Sequence, residues 1–279
     1  MARRAAAGRY RYWSGRRVRA VAEEVGVALD RGWRWSFTLS LPMTQLQLGE
    51  GTGAQNRLIT EERIIKKLGP LAATAFDRPA PVGYAQGIGH VEFAEFVGSY
   101  AANEAVLCHV RARCGEGRSV DVVLFGSMEN VEGFRSGDAI DGGWVSSAAP
   151  AIEELLRSRG AENTSQWDDD ESLAVEALKI AVQQGKLFGQ DHEGRPWTRG
   201  YTLGNDRQAH WCAEVYADVV LDDDRWDLEG ELGLADAHRI VIGAPLWIRA
   251  LQRDTLVRYQ QGATGRFRRL LGRRPASAL

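Results

Sequence analysis

The run Val120-Asp121-Val122-Val123-Leu124-Phe125 narrows the possible folds more than any other segment of the chain. Rich in β-branched residues, it reads as a buried strand. It stops abruptly at Gly126-Ser127-Met128-Glu129-Asn130, a small polar corner of the kind that holds sites. The residues ahead of it extend the strand pattern. Val91, Phe93 and Val97 share one face, Val106, Cys108, Val110 and Ala112 share another, and Cys114-Gly115-Glu116-Gly117 makes a hairpin loop into Val120. An antiparallel meander is therefore expected from Gly83 to Phe125.

Upstream, Tyr10 to Trp13 reads as a first strand, with Ser14 as the N-cap of a helix through Val18, Val21, Ala22 and Val25 that Gly26 ends. Trp33, Trp35, Phe37 and Leu39 alternate with polar residues as in a half-buried strand. Gly49-Glu50-Gly51-Thr52-Gly53 reads as a surface loop. Thr60 is expected to cap a helix carrying Ile64, Ile65 and Leu68, and Gly69-Pro70 stops it. Three helices are expected downstream: Ala149 to Arg159, Asp168 to Gln184, and Arg207 to Leu221, the last with a stripe of Trp211, Cys212, Val215, Tyr216, Val219 and Val220. A final strand over Arg239 to Ile242 and Leu246 to Ile248 reads as broken at Gly243-Ala244-Pro245. Strands thus gather in the first half and helices in the second. The expected class is α+β, a mainly antiparallel sheet with helices packed on one face. One domain over 9–252, strand-rich over 9–140 and helix-rich over 146–250, precedes a basic, flexible tail over 253–279.

Composition matters here for what it excludes. Hydrophobic residues make up 44% and charged residues 26% of the 279, with a net charge of −2, so nothing draws the whole chain to nucleic acid or membrane. The charge is uneven, however, because arginines crowd both ends: Arg3, Arg4, Arg9, Arg11, Arg16, Arg17 and Arg19 at the start, and eight from Arg249 to Arg274 at the finish. Cys108, Cys114 and Cys212 are odd in number and unpaired in spacing, which argues against a disulfide framework and for a reducing, cytoplasmic setting. No apolar stretch follows Arg3-Arg4, and no run is long enough to span a bilayer.

The candidate sites carry structural alternatives beside them. Ser127 follows a buried strand as a nucleophile would, but Phe125 and Glu129 stand where a nucleophile elbow needs glycines. Ser127 and Asn130 therefore read as turn-capping residues or as polar contacts to a ligand. Trp144, Ser146 and Ser147 open a helix whose free N–H groups, set beside the Ser127 corner, would make a pocket for a small anionic or carbonyl-bearing molecule. His210 and Glu214 share a face of the expected third helix, yet no other histidine lies at metal-ligand spacing, so no metal or cofactor is assigned. Asp168-Asp169-Asp170-Glu171 suits a helix N-terminus. Arg9, Arg11, Arg16 and Arg17, interleaved with Tyr10, Tyr12 and Trp13, read as a solvated basic end or as a non-specific nucleic-acid contact.

Five motifs in order carry a resemblance. These are Tyr12-Trp13-Ser14 with Arg16-Arg17-Val18; Leu124-Phe125-Gly126-Ser127-Met128; Gly143-Trp144 with Ser146-Ser147; Ala213-Glu214-Val215-Tyr216; and Ile242-Gly243-Ala244-Pro245-Leu246-Trp247. Together they resemble a group of actinobacterial, Streptomyces-type proteins without an established activity. The resemblance implies a cytoplasmic accessory or sensor component in a signalling or defence context, and it carries no catalytic residue with it. The leading expectation is a non-catalytic module that senses a small molecule or binds a protein partner. A hydrolase or transferase at the Ser127 and Trp144 corner stands as the alternative, and an arginine-mediated nucleic-acid binder as the third reading.

Overall fold

The computed structural model describes residues 9–29, 50–77, 80–96, 105–132, 170–183, 187–190, 196–198, 201–222, 225–226, 228 and 234–251. In chain order these hold β1 (Tyr10–Trp13), α1 (Gly15–Glu24), α2 (Glu50–Leu68), β2 (Ala72–Ala73), β3 (Tyr84–Phe96), β4 (Ala105–Arg113) and β5 (Ser119–Ser127). The second half adds α3 (Asp170–Gln183), β6 (Leu187–Gln190), β7 (Pro196–Thr198), β8 (Tyr201–Val220) and β9 (Ala237–Ala250).

The expected meander is present, since β4 lies antiparallel between β3 and β5, and Cys114 N–H closes the hairpin on Arg118 O at 3.0 Å. What the meander joins differs from expectation. Antiparallel pairing of β8 with both β3 and β9, and parallel pairing of β9 with β5, bring the order β3-β4-β5-β9-β8 back to β3. The sheet is thus a closed five-stranded barrel rather than an open antiparallel layer. β1 extends it along the second half of β9, and β2 pairs in parallel with the start of β3. β6 and β7 form a separate two-stranded sheet.

Alternation along each strand sends one set of side chains inward. Val91 and Phe93 of β3, Val106, Cys108 and Val110 of β4, Val120, Val122 and Leu124 of β5, and Ala209, Trp211 and Ala213 of β8 fill the interior. Trp211 takes the largest share, and Gly87 makes room for it: a Cβ there would meet the indole at 3.0 Å. Two outer surfaces are covered. α3 lays Ala174, Val175, Ala177, Leu178 and Ala181 on Leu107, Val123, Phe125, Ile240 and Ile242. α1 and α2 bring Val18, Val21, Ala22, Ile64 and Leu68 onto Tyr10, Trp13, Cys212, Leu246 and Trp247. Helices therefore flank the barrel on two surfaces, not one.

Three element assignments need correction. Residues 201–220 form β8, not a helix over Arg207 to Leu221, so with β9 the second half is not simply helix-rich. Alternation is regular from Ala209 to Glu214, with Trp211 and Ala213 in the interior and Cys212 on the covered outer surface, and a bulge at Tyr216 shifts it once; apolar residues on both faces of the strand are thus spaced as a helix would space them. β9 runs unbroken through Gly243-Ala244-Pro245, because Pro245 sits beside a bulge of β9 itself, at Leu246, where a strand tolerates proline, and Gly243 admits the Glu214 carbonyl. A Cβ at Gly243 would lie 2.2 Å from that oxygen. α2 starts at Glu50, so Gly51 and Gly53 belong to the helix and Thr60 is buried within it rather than capping it. The expected strand at 33–39, the helix at 149–159 and the basic tail lie outside the described residues. No helix among the described residues is long and apolar enough to cross a membrane.

Candidate functional site

Register places one row of side chains across the outer surface beneath α2. Tyr10 of β1 is opposite Arg249 of β9, Arg249 is opposite His210 of β8, and His210 is opposite Ile88 of β3. Directly paired residues share a face, so the four stand side by side. Glu61 of α2, 1% exposed, comes down on the first three. Tyr10 Oη donates to Glu61 Oε2 at 2.5 Å, Arg249 donates through Nε at 3.0 Å and Nη2 at 2.8 Å, and His210 Nδ1 lies 2.8 Å from Oε1. A carboxylate only accepts, which puts the imidazole proton on Nδ1.

Burial alone would raise the Glu61 carboxyl, but the hydrogen bonds from His210, Arg249 and Tyr10 outweigh it and hold the group below the ordinary glutamate range. Arg249 loses by desolvation and gains more from Glu61, ending above its ordinary value. Burial, then the Glu61 charge, pushes the Tyr10 phenol far up, so it stays a neutral donor. One turn before Glu61, the Arg57 guanidinium lies 5.5 Å from the Trp13 ring and 6.0 Å from the Tyr10 ring. Trp13 stacks on Trp247 at 6.0 Å, and Trp247 Nε1, fully buried, has no hydrogen-bond partner among the described residues.

A second carboxylate organises the outward face of the meander. Asp121, fully buried, lies 2.8 Å from His109 Nε2 and accepts from Arg111 Nε at 2.9 Å and Nη2 at 3.2 Å. His109 and Arg111 are two residues apart on β4 and so share its outer face. Arg111 keeps 38% of its side chain exposed, which turns this group towards solvent. A third pair is structural: Asp218 accepts from Arg239 through Nε at 2.7 Å and Nη2 at 2.6 Å, and from Val82 N–H, while Arg239 Nη1 donates to Phe76 O. It fastens the segment after β2 to the barrel.

The residues expected from the sequence meet varied fates. Ser127 ends β5 without capping the 3-10 turn that follows, and Asn130 Nδ2 donates to Tyr12 Oη at 3.3 Å. Gly126 lets that phenol approach, for a Cβ would lie 2.5 Å from it. Asn130 and the Ser127 backbone thus both bond a buried tyrosine of β1; Trp144, Ser146 and Ser147 lie outside the described residues. Arg9 and Arg11 pair with Glu132, Arg11 also with Asp206 at 3.3 Å, and Arg17 with Glu214 at 2.8 Å, whereas Arg16 is exposed. Three of these four arginines are therefore anchored on carboxylates. His210 and Glu214 lie on a strand and serve different partners, Glu61 and Arg17. Glu171 does more than face a helix dipole: it accepts from Arg225 Nη1 and Trp226 Nε1, both at 2.9 Å, tying the β8–β9 connection to α3. Among the described residues no group of three or more His, Cys, Asp or Glu is arranged to hold a metal ion.

Glu61, Asp121, His109, Arg111 and Arg249 were missed by sequence reading. Asp121 alone left a local signal, as a charge inside a β-branched run. No protein-family model, curated protein or solved structure matches the chain.

Proposed function

We propose that this chain is a non-catalytic ligand-sensing or protein-interaction module built on an OB-type barrel, with its binding surface on the outer face of β3 and β4. The strand order carries the reading. A meander, then a helix, then two strands that close on the first strand, with the third and fifth barrel strands parallel, is the plan of that fold. In such barrels the outer face of the second and third strands, here β4 and β5, takes extended ligands. Fold analogy does not identify a ligand, so the side chains must. On this face β5 is largely under α3, while His109 and Arg111 of β4 are held upright by Asp121, and Ile88 of β3 is 62% exposed.

The third reading, nucleic acid, is favoured by one observation, the arginines at 111, 113 and 118 around the β4–β5 hairpin. Chemical-shift mapping against a fragment library tests the proposal, with a single-stranded thymidine oligonucleotide as an added arm. Binders are expected to move resonances of Ile88, His109 and Arg111 and to be recovered unchanged. Binders that map elsewhere, or any compound recovered chemically altered, overturn the reading; oligonucleotide binding at that face with a steep salt dependence promotes the nucleic-acid alternative.

A further inference from the structure

The row beneath α2 has the character of a recognition surface that its own helix is covering. Tyr10, Arg249 and His210 come from three strands in register, so the sheet sets their spacing whether or not α2 is present. Their donors converge on one point, where α2 supplies the Glu61 carboxylate as acceptor. A phosphate or carboxylate from another molecule offers the same acceptor geometry to a bidentate arginine. Beside this point lies an aromatic floor of Tyr10, Trp13 and Trp247, on which Arg57 places a planar cation. The buried Trp247 Nε1 adds a donor that α2 does not satisfy.

We propose that the outer face of β1, β9 and β8 is a second site, for a small anion bearing a flat ring, of the nucleoside monophosphate class, and that α2 occupies it in cis. Glu61 stands in the place of the anionic group, and Arg57 in the place of the stacked ring. Binding then requires α2 to leave, which converts occupancy into a conformational change. A cis occupant acts at a high effective concentration, so the wild-type chain binds weakly until the helix is loosened.

The test uses the full chain with adenosine monophosphate as probe, reading amide hydrogen exchange along α2 and tryptophan fluorescence. The nucleotide is expected to speed exchange within α2. Glu61→Gln should bind it at least tenfold more tightly than wild type, and inorganic phosphate should compete. Should Glu61→Gln fail to fold, Arg57→Ala, which uncovers the ring floor and leaves the polar centre intact, should still tighten binding severalfold. Unchanged or slowed α2 exchange with nucleotide, equal affinity in the folded variants and wild type, or failure of phosphate to compete each overturns the site.

Discussion

Two carboxylates, Glu61 and Asp121, each hold one histidine and one arginine, yet they are assembled in opposite ways. Asp121 finds His109 and Arg111 within one hairpin, through register alone. Glu61 draws Tyr10, His210 and Arg249 from three strands far apart in the chain. The first group leaves its arginine partly in water; the second shuts its charges beneath a helix. A locally built pair can be spared by the fold, whereas a group gathered from four elements joins them, and its loss is felt wherever they meet.

The largest effect should come from Glu61→Ala. Removing one member of a buried charge group strands the others, which costs about 3–5 kcal/mol, read as a lowered urea midpoint. A loss under about 1 kcal/mol would mean that α2 is already detached, and the contrast would break. Acid should reach the same group. Held below its ordinary value, the Glu61 carboxyl binds its proton less tightly folded than unfolded. The stability it contributes is therefore full above the ordinary glutamate value of about 4.3 and fades as pH falls below it. Urea midpoints of wild type and Glu61→Gln should converge as pH drops from about 5 to 3; parallel curves would count against a depressed carboxyl. Asp121→Ala should be milder, about 1–3 kcal/mol, because Arg111 can turn to solvent while the strand keeps its backbone bonds. An Asp121→Ala loss exceeding that of Glu61→Ala would reverse the comparison. Smallest is Arg111→Ala, within about 1 kcal/mol by thermal melting, since the pair is partly solvent-screened.

The same contrast explains what could be read from the sequence. β1, α1, the meander with its hairpin, and α3 follow from local alternation and turn glycines, and they stand as expected, although Ser14 precedes α1 without a side-chain cap bond. β8 misleads because both its faces carry packed apolar residues and a bulge at Tyr216 shifts them once, so Trp211, Cys212, Val215 and Tyr216 fall at helix-like intervals. Pro245 and Gly243 look like strand breakers until the bulge beside Pro245 and the Glu214 carbonyl against Gly243 are known. The start of α2 is masked by Gly51 and Gly53, each worth about 1 kcal/mol against a helix, a deficit that packing of Ile64 and Leu68 offsets. Site residues divide likewise. Asp121 was open to detection as a charge in an apolar strand, but nothing near Glu61 in the chain announces Tyr10, His210 or Arg249. Barrel closure too depends on pairing between distant strands, which no local window contains.

β9 lends its first half to β5, its second half to β1, and its other edge to β8. During synthesis, then, every one of these strands waits for the same late segment. Until Ala250 has left the ribosome, the β-branched edge of β5 has no parallel partner, and the four buried residues of β1 have no strand to lie on. Such non-local pairing folds slowly, in roughly milliseconds to seconds, and keeps sticky edges open meanwhile. Birth, more than maturity, is when this chain is at risk: a ribosome that stalls just short of β9 holds out an unclosed sheet, and chaperones would be expected to meet it there.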